Sequence, residues 1–107
     1  MKDQFLEHLL SIIKSKKDEN PKVSYTAMLQ QADIIETLKK IEEEAFEVIE
    51  AAKLKNKNDI IHEIADLWFH CLVLLAKKDI TVAEITAELQ KRQGVSGIEE
   101  KLNRVKK

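Results

Sequence analysis

Apolar residues recur at helical spacing through almost the whole chain. Phe5, Leu6, Leu9, Leu10, Ile12 and Ile13 fall mostly three and four apart, which predicts an amphipathic helix over residues 3–17. Asp18-Glu19-Asn20-Pro21-Lys22 breaks it, because proline cannot continue a helix and pushes its predecessor towards extended backbone. Ser24 suits the cap of a short helix over residues 25–31. Asp33 followed by Glu36 resembles a capping box and opens a long helix to about Lys55. Its apolar stripe is Leu38, Ile41, Ala45, Val48, Ile49 and Ala52. Asn56-Lys57-Asn58 reads as a polar hinge before a third long helix over residues 59–77. Lys78-Asp79 turns the chain, Thr81 with Glu84 opens a helix to about Gln93, and Gly94 fits its stop. Ser96 with Glu99 repeats the capping signal and predicts a tail helix to about Val105. No segment reads as a strand. The expectation is an all-α antiparallel bundle of about four to five helices, with residues 1–107 forming a single domain.

The third helix is unusual. Ile60, Ile61, Ile64, Leu67, Trp68, Phe69, Leu72 and Leu75 are among the apolar residues that surround nearly its whole axis. Such a helix is expected to be buried on nearly every side. Yet Asp59, Glu63, Asp66 and His70 run along it at spacings of four, three and four, forming one narrow polar stripe. Carboxylates inside a core are costly unless something neutralises them. On the preceding helix Glu44 and Glu47 stack on one face, in line with Lys40 and Ala51, with Glu43 beside them. Antiparallel packing would let Glu44 and Glu47 face Glu63 and Asp66.

Four converging carboxylates suit a hard divalent cation, and Mg²⁺ readily takes substrate phosphate oxygens as further ligands. The chemistry inferred is metal-assisted hydrolysis of a phosphoanhydride. Gly94 and Gly97 do not form a phosphate-binding glycine loop. The neighbouring carboxylates Glu36, Glu43 and Glu50 read as a solvated face. His8 and His62 read as exposed, Cys71 as a small core residue, and Trp68 and Phe69 as core or interface. For His70, a hydrogen-bonded core histidine outweighs a metal ligand.

Composition narrows the function classes. Hydrophobic residues make up 44% of the chain, too many for a disordered segment. The formal net charge is −1, so no strongly basic field exists to hold nucleic acid or an anionic membrane. One cysteine excludes an intrachain disulfide and a four-cysteine zinc site. The most apolar stretch, Leu67 to Ala76, contains His70 and falls short of the roughly 20 residues a membrane span needs. The opening Met-Lys-Asp-Gln-Phe-Leu-Glu-His lacks the apolar run of a signal peptide, and a cytoplasmic location is expected. A chain this short, with one helix apolar almost all round, is expected to form at least a dimer, with Trp68, Phe69 or Leu72 near the interface.

The motifs together resemble a known family. Glu44-x-x-Glu47 followed by Glu63-x-x-Asp66 is similar to the signature of the MazG-like all-α nucleotide pyrophosphatases. Ser24-Tyr25-Thr26-Ala27, the run Lys40 to Glu47, the run Glu63 to His70 and the tail Arg92 to Lys101 resemble the phosphoribosyl-ATP pyrophosphatase family within that superfamily. The resemblance implies Mg²⁺-dependent cleavage of phosphoribosyl-ATP to phosphoribosyl-AMP and pyrophosphate, the second step of histidine biosynthesis, by a homodimer or higher oligomer. It implies that Glu44, Glu47, Glu63 and Asp66 are the metal-binding and catalytic residues, with Glu43 as a helper. Ser24, Tyr25, Thr26 and Lys40 would contact substrate phosphates or ribose. Two departures bear on the substrate: the family commonly has glycine at Glu42 and near Asp33. The alternatives are a nucleoside triphosphate pyrophosphatase of the nucleotide pool and an inactive helical dimerisation module.

Overall fold

Five helices, named here α1 to α5 in chain order, cover most of a computed structural model that describes residues 2–93 together with 101, 102 and 104. They are α1 (Lys2–Ser15), α2 (Tyr25–Gln31), α3 (Ile34–Leu54), α4 (Lys57–Lys78) and α5 (Val82–Arg92). Among the described residues there is no strand, so the fold is all-α as the periodicity predicts. Gly94 and most of the expected tail helix lie outside the described residues.

The caps account for where the helices start. Ser24 Oγ accepts the Ala27 N–H at 3.1 Å and opens α2. Asp33 Oδ1 accepts the Ile35 N–H at 2.9 Å, so this residue supplies a cap rather than a flexible turn. Asn56 Oδ1 accepts the Asp59 N–H at 3.2 Å, which starts α4 at Lys57, earlier than the hinge reading of residues 56–58 had it. Thr81 Oγ1 accepts the Glu84 N–H at 3.1 Å and opens α5. Both long helices end on a left-handed residue, Lys55 (φ 59°) and Asp79 (φ 55°), where glycine is the usual choice.

The α3–α4 hairpin is the most extensive helix pairing, while α1 packs on α4 and α5, and α2 packs on α4 and α3. The core is one cluster: Leu10 and Ile13 from α1, Leu29 from α2, Leu72 and Val73 from α4, and Val82 at the start of α5. Leu6, Leu9, Phe69, Leu75 and Ala76 pack against it. Polar ties hold the short α2 in place. Lys77 Nζ donates to the carbonyls of Gln30 (3.1 Å) and Ala32 (2.7 Å), and Gln31 Nε2 donates to the carbonyls of Lys17 (2.8 Å) and Glu19 (2.9 Å). These bonds satisfy carbonyls that the helix end and the loop leave open.

Two expectations about buried faces change. On α3 the stripe Leu38–Ile41–Ala45–Val48–Ile49–Ala52 is only partly inward: Leu38, Ile49 and Ala52 are exposed. The inward line is Thr37, Ile41, Glu44, Val48 and Ala51, spaced four, three, four and three. Small Thr37 and Ala51 sit at close-approach points that a count of large apolar residues overlooks. On α4, burial on nearly every side does not hold within one chain, because Ile61 and Trp68 are each 57% exposed. Leu72 lies in the chain's own core and Phe69 packs against it, so the interface expectation falls to Trp68.

Candidate active site

The inward line of α3 carries Glu44 between Ile41 and Val48, which places an acid on the less exposed side of the helix. Glu44 is half-buried and Glu47, one turn on, is exposed. Facing them on α4, Glu63 and Asp66 are both half-buried. Burial pushes the Glu63 carboxyl above its ordinary 4.5, and the charges of Glu44, Glu47 and Asp66 push the same way, against His62. The α3 carboxylates thus act on Glu63 through space, whereas among the described residues the ligand-type atoms that come within 4.8 Å of one another are those of His62, Glu63 and Asp66, without Glu44 or Glu47.

His62 is exposed, as expected, yet it belongs to this cluster, which the sequence reading did not foresee. Its Nε2 lies 3.3 Å from Asp66 Oδ2, and ligand-type atoms of His62, Glu63 and Asp66 all lie within 4.8 Å of one another. The i,i+4 spacing of His62 and Asp66 was the available signal. Asp59, at the start of the polar stripe, is exposed.

A basic rim stands beside the acids. Lys40 Nζ pairs with Glu43 Oε2 at 3.3 Å. The hydrogen bond and charge of Glu43 raise the Lys40 ammonium pKa, and the charges of Tyr25 and Glu44 add to the effect. Lys40 thus sits within electrostatic reach of both the carboxylate cluster and α2. Glu43, the expected helper, faces this lysine rather than the cluster. Glu42 is exposed and takes no part.

The Ser24-Tyr25-Thr26 segment approaches from α2. Ser24 caps that helix and Thr26 is half-buried. The Tyr25 hydroxyl lies 3.0 Å from His70 Nε2, and His70 Nδ1 lies 2.8 Å from the Asp66 carbonyl oxygen. His70 is 5% exposed, in keeping with the reading of a hydrogen-bonded core histidine. Its bonds join α2 to the α4 turn that carries Asp66.

The donor set is suited to a hard divalent cation. Glu63 and Asp66 offer oxygen ligands, and a dication would relieve the burial and the neighbouring carboxylate charges that together raise the Glu63 pKa. The neighbouring lysine adds a positive charge that an anionic substrate can meet. Such an arrangement can gather phosphate oxygens, a cation and a water molecule at one place.

Comparison with known proteins points the same way. A family profile described as phosphoribosyl-ATP pyrophosphohydrolase matches residues 6–93, which include Glu44, Glu47, Glu63 and Asp66. A protein of Nitrosomonas eutropha named phosphoribosyl-ATP pyrophosphatase is 50% identical over 99 residues, covering 92% of this chain and 85% of its own. One of Hydrogenovibrio crunogenus with the same name is 44% identical over 99% of this chain and 97% of its own. One of Geobacter metallireducens, also so named, is 47% identical over 98% of this chain and 96% of its own.

Proposed function

The chain belongs to the phosphoribosyl-ATP pyrophosphohydrolase family, and from that premise we propose how its residues perform the hydrolysis. The enzyme is a phosphoric anhydride hydrolase that converts phosphoribosyl-ATP to phosphoribosyl-AMP and pyrophosphate in histidine biosynthesis. Our reading adds that residues 1–107 act as one catalytic domain, with Mg²⁺ held by Glu44, Glu47, Glu63 and Asp66. The observation that carries it is the close grouping of ligand-type atoms of His62, Glu63 and Asp66, all within 4.8 Å of one another, on the helix that pairs most extensively with α3.

Bound Mg²⁺ would neutralise phosphate charge and polarise the bond between the α and β phosphates. The protein side of the reaction follows from the residues. Glu44, Glu47, Glu63 and Asp66 would hold that cation beside the polyphosphate. A carboxylate of the cluster orients the attacking water and accepts its proton as the new P–O bond forms. The bridging P–O bond breaks, and pyrophosphate leaves with the electron pair. Lys40, on the rim, offers an ammonium to the phosphate oxygens. Glu43 keeps that ammonium charged and oriented.

Manganese tests the site because it accepts similar ligands and broadens nearby NMR signals. Titration of Mn²⁺ should broaden the backbone amides around Glu44, Glu47, Glu63 and Asp66 first. Broadening centred elsewhere would remove the site from these residues.

We further propose a homodimer or higher oligomer in the cytoplasm, where a phosphorylated nucleotide is available. Trp68, Ile61, Phe46 and Ile49 are each more than half exposed in the single chain. The Cα radius of gyration is 16.2 Å, above the roughly 13 Å of a compact domain of this size. A second copy would cover that apolar surface. Light scattering at micromolar protein should give at least twice the 12.3 kDa chain mass, and a monomeric mass would contradict the proposal.

A further inference from the structure

His70 is a buried side chain with chemistry that the hydrolysis described above does not use. It is one of two buried polar residues among those described, the other being Thr37. Its partners determine its tautomer. The Asp66 carbonyl, 2.8 Å from Nδ1, can only accept, so Nδ1 carries the ring proton. Nε2 of the neutral ring is then a lone pair, and the Tyr25 hydroxyl, 3.0 Å away, must donate to it. Tyr25 has one hydroxyl proton and His70 takes it. The phenol oxygen therefore presents only lone pairs to anything else.

Packing holds this arrangement in place. Phe69 meets His70 edge-on, with centroids 5.4 Å apart and planes at 89°. Tyr25 lies nearly parallel to Phe69, with centroids 6.5 Å apart. Tyr25 is nonetheless 48% exposed, so the residue is not sealed in the core. Lys40 lies within its electrostatic reach.

We propose that His70 is a positioning residue that fixes Tyr25 as an acceptor-only group beside the carboxylates, where Tyr25 receives a ribose hydroxyl of the nucleotide and not a phosphate oxygen. The proposal rests on the nucleotide reading above and deepens it. Phosphate oxygens on Mg²⁺ are acceptors, and two acceptors facing each other repel. Lys40, all donor, suits the phosphates instead. The two residues thus divide the substrate: Lys40 recognises the anion and Tyr25 the sugar.

The experiment uses the full-length enzyme with Mg²⁺ and compares Tyr25→Phe, His70→Phe, His70→Gln and the double variant Tyr25→Phe/His70→Phe. Tyr25→Phe and His70→Phe should each raise KM for phosphoribosyl-ATP about tenfold, the effect of one lost hydrogen bond, with kcat little changed. The double variant should be no worse than either single one. His70→Gln keeps an acceptor and amide donors and should recover most of the loss. Product inhibition separates the two halves of the substrate. In Tyr25→Phe, inhibition by phosphoribosyl-AMP should weaken, while inhibition by pyrophosphate, which has no ribose, should not move. A merely structural role would lower Tm and leave KM and both inhibition constants unchanged. Multiplying losses in the double variant, or weaker pyrophosphate inhibition, would overturn the proposal. Should His70→Phe fail to fold, the half-exposed Tyr25→Phe carries the kinetic test alone. A readout independent of turnover is the ¹⁵N NMR spectrum of the His70 ring, expected to show the Nδ1–H tautomer. The Nε2–H tautomer would overturn the proposal even in an active enzyme. A wild-type protein inactive on phosphoribosyl-ATP would instead refute the substrate assignment and leave the NMR result to judge His70.

Discussion

Two halves of α4 are built from similar apolar material but meet different surroundings. In the C-terminal half, His70, Leu72 and Val73 are buried, and the last two join side chains from α1, α2 and α5 in the core. No residue before His70 on this helix is fully buried, and Ile61 and Trp68 lie more than half exposed. The charges follow the same division. The carboxylates Glu63 and Asp66 sit in the open half, against Glu44 and Glu47 of α3, where water and a cation can reach them. In the packed half the only polar group fully enclosed is His70, and both its ring nitrogens are bonded. One end of the helix stabilises the fold through burial, whereas the other holds charges together that would repel without a ligand.

The comparison breaks most clearly if substitutions in the two halves act alike. Glu63→Gln or Asp66→Asn should cut turnover about 100- to 1,000-fold, the loss of several kcal/mol of metal-borne stabilisation. Circular dichroism should show the same helical content as wild type. In the packed end, Ile13→Ala should lower unfolding stability by about 2–5 kcal/mol, because Ile13 is buried in a core that relaxes only in part. Urea denaturation measures this, and its folded fraction should keep normal activity. A stable but inactive Ile13→Ala protein would contradict the division of labour.

A subtler contrast concerns pH in the metal-free protein. The Glu63 pKa is raised on folding, so the folded state binds this proton more tightly than the unfolded chain. That stabilising contribution is full below the ordinary 4.5 and is lost as pH rises through the raised value. Wild-type Tm without metal should therefore fall, relative to Glu63→Gln, as pH climbs from acid towards neutral. Adding Mg²⁺ at neutral pH should restore the wild type and leave the variant unmoved. A Tm difference that does not vary with pH would remove Glu63 from the crowded field.

The smallest effect lies on α3. Thr37 is fully buried, and its hydroxyl has no hydrogen-bond partner among the described residues. Thr37→Val should raise stability by about 1 kcal/mol, since it replaces an unsatisfied hydroxyl with a methyl group of similar shape. Differential scanning calorimetry at saturating Mg²⁺ would detect it. A loss of stability would reveal a role for that hydroxyl.

Much of this was legible in the residues. The caps at Ser24, Asp33 and Thr81 stand as their side chains predict, because a capping hydroxyl or carboxylate acts within a few residues of itself. The carboxylates were legible because an acidic stripe on an apolar helix needs a physical reason. What escaped was tertiary. The packed face of α3 turns on Thr37 and Ala51, whose small size permits close approach and shows no hydrophobic signal. Asn56 looked like a hinge and instead caps α4, since one polar residue suits either role until the chain's direction is known. The Tyr25–His70 bond joins residues 45 positions apart, beyond any local pattern.

The central claim is that the α3–α4 carboxylates hold a divalent cation for cleavage of one particular nucleotide. Its most direct test is pyrophosphate release by the purified protein, with Mg²⁺ or with a chelator, from phosphoribosyl-ATP, ATP and a panel of deoxynucleoside triphosphates. The account predicts release from phosphoribosyl-ATP alone, only with Mg²⁺, and not from the Glu63→Gln variant. Release that survives the chelator, or that favours the deoxynucleotides, would contradict it.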